Sequence, residues 1–401
     1  YMTLTTISKE EFTSFANTVS HRSFIQSAEM ADLLEKRGNT VQFIAWKQED
    51  QVQVAAILYS LPMTGGLHME INSGPLYQEE AMLEPFYAAL KDYAKENGAI
   101  ELVIKPYDTY QTFDSDGNPT SEEQTHFMDT LKKLGYQHDG LTTGYPGGEP
   151  DWHYVKDMEG ITEKNLLTSF SKKGKPLVKR AKAFGIQLKR LNRDELQLFK
   201  EITSSTSDRR DYQDKTLDYY QTFYDSFGDK VEFMMATLNF EHYLAILQSK
   251  HNDLQSQINP LIEKVSSGIN SAKVNKQISQ LNLQISKLSI RINEAKEYIE
   301  KYGDQDVILA GSLFVYMPQE STYLFSGSYT EFNKFYAPAV LQEYMMLETI
   351  KRGIPKYNFL GIQGIFDGSD GVLRFKQNFN GYIVRKMGTF RYYPCLLYTS
   401  D

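Results

Sequence analysis

The chain is poor in cysteine and contains no long apolar segment. Among its 401 residues the one cysteine is Cys395, so disulfide, thiol-redox and cysteine-nucleophile chemistry are excluded for the rest of the chain. No apolar run approaches the ~20 residues of a membrane-spanning helix, and the first residues lack the basic-then-apolar layout of a signal peptide. We therefore expect a cytoplasmic protein.

Both ends of the chain contain residues that do not look like natural protein. Residues 395–401, CLLYTSD, read as the in-frame translation of a transposase sequencing adapter, and Tyr1 before Met2 is likewise foreign. We therefore leave 395–401 out of the fold prediction as an artefact, and expect the natural sequence to end near Pro394.

The common catalytic signatures are absent as well. None of the seven histidines belongs to a His-Glu-x-x-His motif or a paired metal spacing, and the chain has neither a phosphate-binding Gly-x-x-x-x-Gly-Lys-Ser/Thr loop nor a Gly-x-Ser-x-Gly elbow. These absences weigh against a zinc enzyme, a nucleoside triphosphatase and a serine hydrolase, and we predict no metal site. A lone histidine such as His153 is more often a structural group than a catalytic base.

Two amphipathic helical patterns lie back to back in the middle of the chain. Their apolar residues recur at steps of three, four and once seven residues. They are Leu247, Leu254, Ile258, Leu261 and Val265, then Val274, Ile278, Leu281, Ile285, Leu288, Ile292, Ala295 and Ile299. The sequence Ser-Ser-Gly at 266–268 favours a chain reversal between them. We predict an antiparallel helical arm, roughly 40 Å long at ~1.5 Å per residue, with its two apolar seams packed together.

Alternating strand and helix patterns surround the arm. Strands are predicted at 43–46, 52–59, 100–104, 231–238, 307–316, 323–326 and 356–360, and helices at 81–97, 194–203 and 337–352. The fold class is therefore α/β or α+β. We predict a first domain over 2–155, a second domain formed by 156–240 and 303–394, and an arm over 241–302 inserted in the second domain.

Positive charge is concentrated in two places although the net charge is −8. Residues 164–190 contain nine basic residues and no acidic one. Residues 264–291 of the arm repeat this pattern with Lys264, Lys273, Lys276, Lys287 and Arg291. Each cluster alone fits a solvated helix face, but two such clusters, one of them on a projecting arm, favour a polyanion such as nucleic acid.

Two further segments have unusual composition. Residues 206–220 combine Arg209, Arg210 and Lys215 with three tyrosines, and residues 361–379 form a Gly-rich loop that leads into Phe375 and Lys376. A cation beside an aromatic ring at the end of a Gly-rich turn suits phosphate or oxyanion binding, because the backbone can approach the ligand closely. An ordinary solvated surface is the alternative for both segments.

Taken in order, these segments resemble a known family. The motifs are SFSKKGKPLVKRAKAFGIQL at 169–188, the Arg- and Tyr-rich segment, the inserted arm, YLFSG at 323–327, KYNFLGIQG at 356–364 and LRFKQNFNG at 373–381. Together they resemble the FemXAB family of aminoacyl-tRNA-dependent peptidyltransferases, which build the interpeptide bridge of peptidoglycan. The resemblance covers nearly all of residues 5–394. Within the family, SFIQSAEMADLLEKRG at 23–38 is most similar to the streptococcal MurM/MurN branch, and to MurN in particular.

This resemblance implies two GNAT-like domains that share a cleft, with an arm similar to that of seryl-tRNA synthetase. The substrates implied are lipid II and alanyl-tRNA or seryl-tRNA, with no other cofactor. For a MurN-type enzyme the attacking amine belongs to the alanine or serine already attached to the stem-peptide lysine, so the second bridge residue would be added. The protein would then work at the inner face of the plasma membrane, held there through its lipid-linked substrate.

The resemblance also implies roles for individual residues. The family's phosphate-contacting lysine matches Lys36, and its catalytic Phe-Lys pair matches Phe375 and Lys376. A family pair of an arginine and a tyrosine four residues later fits Lys215 and Tyr219 best, so a lysine would replace the arginine here. Arg210 is the alternative match for that arginine. The remaining matches are a cleft tyrosine at Tyr323 and a carboxylate at Asp108, beside a Lys105–Pro106 that replaces the family's Asp-Pro. The tRNA would contact Lys172, Lys173, Lys175, Lys179, Arg180, Lys182, Lys273, Lys276 and Lys287.

The implied chemistry is aminolysis of an aminoacyl ester. We expect Lys376 to stabilise the tetrahedral oxyanion, while Phe375 fixes the direction of the lysine side chain. The alternative is that Lys376 only pairs with a substrate phosphate. A coenzyme A-dependent GNAT acyltransferase is one rival, but the Arg/Gln-x-x-Gly-x-Gly/Ala pyrophosphate loop is absent. A non-catalytic arm protein is the other, and it would expose apolar residues on the outer arm faces, whereas we predict single, mutually packed seams.

Overall fold

A computed structural model describes residues 2–210, 213–269 and 271–394, without the side chains of Arg209 and Arg210. Tyr1 and the segment 395–401, predicted to be foreign, lie outside the described residues. In chain order the strands are β1 (Met2–Thr6), β2 (Thr40–Gln48), β3 (Gln51–Met63), β4 (Gly66–Asn72), β5 (Leu76–Tyr77), β6 (Ala99–Lys105), β7 (Thr109–Phe113), β8 (Gln137–His138), β9 (Trp152–Asp157), β10 (Gln187–Arg190), β11 (Val231–Asn239), β12 (Asp306–Tyr316), β13 (Ser321–Ser328), β14 (Lys356–Ile362), β15 (Tyr382–Lys386) and β16 (Phe390–Tyr392).

Several of the helices begin at a residue whose side chain caps the first turn. The helices are α1 (Lys9–Ala16), α2 (Ala28–Lys36), α3 (Leu83–Glu96), α4 (Thr125–Lys133), α5 (Gly174–Ala183), α6 (Leu196–Arg210), α7 (Leu217–Phe227), α8 (Phe240–Ser266), α9 (Ala272–Tyr302), α10 (Ala337–Lys351) and α11 (Gly371–Gln377). Ser27, Thr216 and Ser271 each accept a hydrogen bond from a backbone amide of the first turn that follows. None of the helices in the described part of the chain combines the length and apolar character that crossing a membrane requires.

The strands form two eight-stranded mixed sheets, which confirms the predicted α/β class. The first sheet has the order β1-β2-β3-β4-β6-β16-β8, with β5 paired to β3, and the second has the order β10-β11-β12-β13-β14-β9-β15-β7. Neighbours run antiparallel except for β4 with β6 and β13 with β14. Helices connect the parallel pairs: α3 joins β4 to β6, and α10 joins β13 to β14.

The two sheets exchange strands along the chain. Strands β7 and β9 belong to the second sheet although they begin before residue 155, the predicted end of the first domain. Strand β16 returns to the first sheet, where Phe390 lies between Ile104 of β6 and His138 of β8. The predicted domain ranges therefore describe the two sheets only in part, because strand pairing over long sequence distances leaves no local periodicity to detect.

The predicted antiparallel arm is confirmed as helices α8 and α9, between the antiparallel neighbours β11 and β12. Its seam buries Leu247, Ile258, Leu288 and Ala295. At its base, the Phe240 ring stacks on that of Tyr298 with 4.4 Å between centroids, which fixes the arm to the body. The arm also has exposed apolar residues that the prediction of single, mutually packed seams did not include, namely Leu283 and Ile290 on α9.

A buried hydrogen-bond network joins the two halves of the molecule. The Tyr107 hydroxyl, just after β6, donates to Glu320 Oε1 at 2.6 Å in the turn between β12 and β13. Asn358 of β14 lies 3.1 Å from the Tyr107 hydroxyl and 3.3 Å from His153 Nδ1. Lys386 of β15 donates to the Tyr107 carbonyl at 2.9 Å, and its ammonium lies 3.7 Å from the centre of the Tyr107 ring.

Burial shifts the pKa of every ionisable side chain in this network. The pKa of Glu320 is raised by burial, and that of Lys386 is lowered to about 8 for the same reason. Burial and the nearby Lys386 charge lower the pKa of His153 to about 3. His153 is therefore a neutral, buried structural group in the folded protein, in agreement with the prediction for a lone histidine.

The depressed pKa of His153 predicts a specific loss of stability in acid. Above about pH 6.5 the residue is neutral in both the folded and the unfolded state, so it contributes no pH dependence. As the pH falls below that value, the unfolded state takes up the proton and the folded state does not. The free energy of unfolding should therefore fall by about 1.4 kcal/mol per pH unit from this residue, down to about pH 3.

The measurement is urea unfolding of the wild type and of His153→Gln between about pH 7.5 and about pH 5. We expect the wild type to show the steeper loss of stability. The exposed His126, 3.1 Å from Glu80, offers a matched control, since His126→Gln should keep the wild-type slope. Equal slopes for the wild type and His153→Gln would contradict the assignment.

Candidate active site

A cluster of cations surrounds Tyr219 where α2 packs against α7. The Arg37 guanidinium, at the end of α2, lies 4.8 Å from the centre of the Tyr219 ring, and Lys215 Nζ lies 5.1 Å from it. Lys36, the last residue of α2, lies beside the C-terminal end of α7. Its Nζ is 3.4 Å from Ser226 Oγ and forms an ion pair with Asp32 at 2.8 Å. We call Lys36, Arg37, Lys215 and Tyr219 the cation cluster.

The cation cluster is suited to binding an anion. Among the described residues, no carboxylate lies within ion-pair distance of Arg37 or Lys215, and both side chains are exposed. Burial raises the pKa of Tyr219 to about 12, with Arg37 lowering it and Glu149 raising it. The phenol therefore keeps its proton at neutral pH and can donate a hydrogen bond beside two cations.

The sequence prediction identified three members of this cluster and missed the fourth. Lys36, predicted as a phosphate contact, lies at the same pair of packed helices as Lys215 and Tyr219, predicted as substrate-binding residues, whereas Arg37 was overlooked although it follows Lys36 directly. Arg210, the alternative to Lys215, is the last residue of α6, and its side chain lies outside the described residues.

A second feature lies where strands β13 and β14 separate. Their parallel pairing is limited to Ser321 with Tyr357 and Thr322 with Asn358, although both strands continue. Leu360 then takes a left-handed backbone with φ of 61°, held by its amide donating to Asn358 Oδ1 at 2.7 Å. The separation opens the sheet beside Tyr323, whose ring lies 6.2 Å from that of Phe314.

The predicted catalytic pair lies at this separation. Lys376 is 6% exposed, and its Nζ donates to the Gly361 carbonyl of β14 at 2.6 Å. Phe375 is partly buried, with its ring 5.4 Å from that of Phe379. The positive charge of Lys376 is also close enough to lower the pKa of His153.

Asp370 fixes the short helix on which Lys376 stands. Its carboxylate accepts from the amides of Val372 at 3.1 Å and Leu373 at 3.2 Å, which caps α11, and from the amide of Gln363 at 2.9 Å. The sequence analysis missed this residue. An aspartate directly before an apolar helical turn is the signal that identifies such a cap.

A glycine-rich loop, residues 140–150, covers the same end of β14. The Gly144 amide donates to the Gln363 carbonyl at 2.7 Å. At the far end of the loop, Glu149 accepts from Lys105 at 3.2 Å and from Asn72 at 3.1 Å. The loop therefore ties the second sheet, at β14, to the first sheet, at β4 and β6.

Asp108 lies in a different place from Lys376. It lines a cavity of about 280 Å³ with His21, Tyr77 and Tyr107, and none of the other predicted site residues lines that cavity. The Tyr77 hydroxyl donates to its carboxylate, and burial raises the pKa of Asp108. The described residues also contain no group of three His, Cys, Asp or Glu side chains positioned to hold a metal ion.

The basic helix α5 begins against the end of α11. The Ser171 amide donates to the Asn378 carbonyl at 3.1 Å, and Gly174 lies beside the same carbonyl. Most of the predicted tRNA contacts here are exposed, namely Lys172, Lys173, Lys179, Arg180 and Lys182, while Lys175 is half-buried. Lys182 forms an ion pair with Glu343 at 3.0 Å. On the arm, Lys273, Lys276 and Lys287 are exposed.

The close approach of α5 to α11 predicts a large effect for Gly174→Ala. A Cβ at this position would lie 1.7 Å from the Asn378 carbonyl oxygen, so backbone must move. We expect a loss of about 2 kcal/mol or more in the free energy of unfolding, measured by urea titration. Gly371→Ala is the matched control, because its Cβ would meet only the flexible Arg374 guanidinium, at 3.3 Å. Equal stability for the two variants would contradict the tight packing.

Comparison with known proteins agrees with this architecture. The model of the FemAB family matches residues 7–399. Aminoacyltransferase FemB of Staphylococcus epidermidis (strain ATCC 12228 / FDA PCI 1200) is 29% identical over 398 residues, covering 97% of this chain and 94% of the relative. Among solved structures, FemX superposes with a TM-score of 0.75 at 21% identity, covering 98% of this chain and 97% of that one. A tandem GNAT protein from clavulanic acid biosynthesis superposes with a TM-score of 0.51 at 7% identity, over 98% and 99% of the two chains.

These matches confirm the predicted family and the GNAT-like character of the fold. The FemX and tandem GNAT structures share the fold with both halves of this molecule, since each covers nearly the whole chain. The family model spans the cation cluster, the separation of β13 and β14, and the arm. The chain therefore belongs to the FemAB family and is an aminoacyltransferase.

Proposed function

We propose that this protein transfers alanine or serine from charged tRNA to lipid II, as the second residue of the peptidoglycan interpeptide bridge. The acceptor in this proposal is the amine of an alanine or serine already attached to the stem-peptide lysine. The observation that supports it most directly is the cation cluster, placed on the scaffold of a FemAB-family aminoacyltransferase. The protein would act at the inner face of the plasma membrane, where lipid II is available.

The cation cluster supports a lipid-linked pyrophosphate as the ligand. A pyrophosphate bears two negative charges, and Arg37 and Lys215 offer two exposed cations near the ring of one neutral phenol. Lys36 adds a third cation, which lies beside Ser226 at the C-terminal end of α7. Arg37 matters most in this arrangement, because its planar guanidinium can hold two phosphate oxygens at once.

The basic helix α5 supports tRNA as the donor. Its exposed lysines and Arg180 form a positive surface, and its first residue lies against the end of the helix that holds Lys376. A polyanion bound along α5 would therefore have its nearest end close to Lys376. The contact between Gly174 and Asn378 sets this spacing without any flexible linker.

The transfer itself needs positioning and charge stabilisation more than acid–base catalysis. The acceptor nitrogen attacks the ester carbonyl, a tetrahedral oxyanion forms, and the tRNA hydroxyl leaves with the proton that the amine loses. We assign oxyanion stabilisation to Lys376, which is held against the Gly361 carbonyl at the separation of β13 and β14. Phe375 packs against Phe379 and limits the movement of the helix that bears Lys376.

The decisive experiment follows labelled alanine or serine from charged tRNA to two acceptors in parallel. One is unmodified lipid II and the other is lipid II that already has one bridge alanine. We expect label only on the extended acceptor. Label on unmodified lipid II alone would make the protein a first-residue enzyme, and no transfer by the folded protein to either acceptor would refute tRNA-dependent transfer.

Replacing Lys376 tests its assigned role. Lys376→Met keeps the length and apolar stem of the side chain but removes the charge, so we expect kcat to fall about 100-fold or more with little change in KM for lipid II. Thermal unfolding checks that the variant folds. Lys156→Met is a matched control, since Lys156 is also a buried lysine, bonded to the carbonyls of Phe379 at 2.8 Å and Asn380 at 3.0 Å. It should lose stability while keeping a far larger share of kcat.

Replacing Arg37 tests the phosphate site. We expect Arg37→Ala to raise KM for lipid II about fivefold to tenfold with kcat nearly unchanged, and to weaken the dependence of KM on salt. Lys133→Ala is the control, because Lys133 is a highly exposed cation on α4, paired with Glu84 at 2.9 Å. An unchanged KM in Arg37→Ala would remove the cation cluster from the substrate site.

A further inference from the structure

The arm exposes large aliphatic side chains to an extent found nowhere else in the described residues. Its four large aliphatic side chains that lie outside the seam are the most exposed of all large hydrophobic residues described. They are Ile290 at 61%, Leu283 at 57%, Ile269 at 54% and Ile262 at 44%. Single exposed aliphatic residues need no explanation, but four on one helical hairpin do.

Two of these residues share a face of α9 with two lysines. Lys276, Leu283, Lys287 and Ile290 follow one another at steps of seven, four and three residues, so they lie on one side of the helix. All four are exposed, whereas the seam residue Leu288 is buried. This outer face ends at Glu294, which pairs with Lys334.

The charge and composition of the arm restrict which partners can bind its outer face. Residues 264–291 contain five basic residues and no acidic one, which favours an anionic partner. Residues 244–297 contain no Phe, Tyr or Trp, so the outer face offers no ring on which a nucleic-acid base can stack. A second copy of the same face would be repelled by its own charge.

An anionic lipid surface uses both properties of this face. Aliphatic side chains enter the boundary between headgroups and acyl chains, while lysines extend beside them to the anionic headgroups. A nucleic-acid backbone would use the lysines and leave Leu283 and Ile290 in water. We propose that the outer face of α9, with Lys276, Leu283, Lys287 and Ile290, binds the surface of an anionic membrane.

This inference goes beyond the transfer reaction and does not depend on it. The sequence prediction gave Lys273, Lys276 and Lys287 to tRNA, and that prediction becomes the competing outcome for the same surface. The face from Lys276 to Ile290 is about 21 Å long at ~1.5 Å rise per residue, so the arm would lie along the bilayer surface instead of touching it with its tip alone.

The test is binding of the full chain to vesicles. Flotation with vesicles of phosphatidylglycerol and phosphatidylcholine is compared with flotation on pure phosphatidylcholine, for the wild type and for the double variant Leu283→Ser/Ile290→Ser. We expect the wild type to bind the anionic vesicles, and the double variant to bind them about tenfold more weakly or worse. Met63→Ser is the matched control, since Met63 is 42% exposed on β3, outside the arm, and should leave binding unchanged.

A second pair of variants separates charge from apolar contact. Lys276→Gln/Lys287→Gln should weaken binding to anionic vesicles about tenfold and leave the low affinity for pure phosphatidylcholine unchanged. Lys132→Gln, an exposed lysine of α4, is its control. Thermal unfolding of each variant establishes that the arm is folded.

The outcomes are distinguishable. Vesicle binding that survives Leu283→Ser/Ile290→Ser would overturn the proposal, and so would a wild type that does not bind anionic vesicles. If gel shifts showed that tRNA binding falls in both double variants while vesicle binding does not, tRNA would be the occupant. Concentration-dependent dimers that the aliphatic variant abolishes would assign the face to a second copy. Amino-acid transfer is not a readout here, so failure of the proposed function leaves this test intact.

Discussion

The hydrogen bond between Tyr107 and Glu320 is the interaction on which the relation of the two sheets depends. One partner follows a strand of the first sheet, and the other lies in a turn of the second. Both side chains are buried, so breaking the bond without water to replace it leaves two unsatisfied polar groups. Asn358 extends the same network to the strand whose pairing ends beside Lys376. The position of the candidate active site relative to the first sheet is therefore set by buried polar contacts.

The residues proposed for substrate binding and the lysine proposed for catalysis lie in two separate regions of the molecule. The cation cluster lies at helices α2 and α7, one near the start and one near the middle of the chain, while Lys376 lies on α11 near the end. Glu149, through Lys105 and Asn72, holds the glycine-rich loop 140–150 across the region between them. Binding and chemistry are thus supported by separate elements, and a change in one region need not disturb the other.

Local patterns in the sequence predicted much of the fold. The arm, α3, α10 and most central strands were found because their apolar residues repeat at helical or strand spacing and end at glycine or capping residues. The family resemblance located Lys36, Tyr219 and Lys376. The exchange of β7, β9 and β16 between sheets, the Arg37 contact and the buried network were not found, since each depends on residues far apart in the chain. Leu283 and Ile290 could have been seen as a second stripe on α9, but the stronger seam pattern concealed it.

The position of β16 has a consequence for how the protein is made. This strand lies between β6 and β8, so one edge of β6 and the short strand β8 stay unpaired until the residues around Phe390 have been synthesised. During translation these strand edges of the first sheet therefore remain unpaired while the second sheet and the arm are synthesised. A chain that stops before Phe390 would expose those edges permanently.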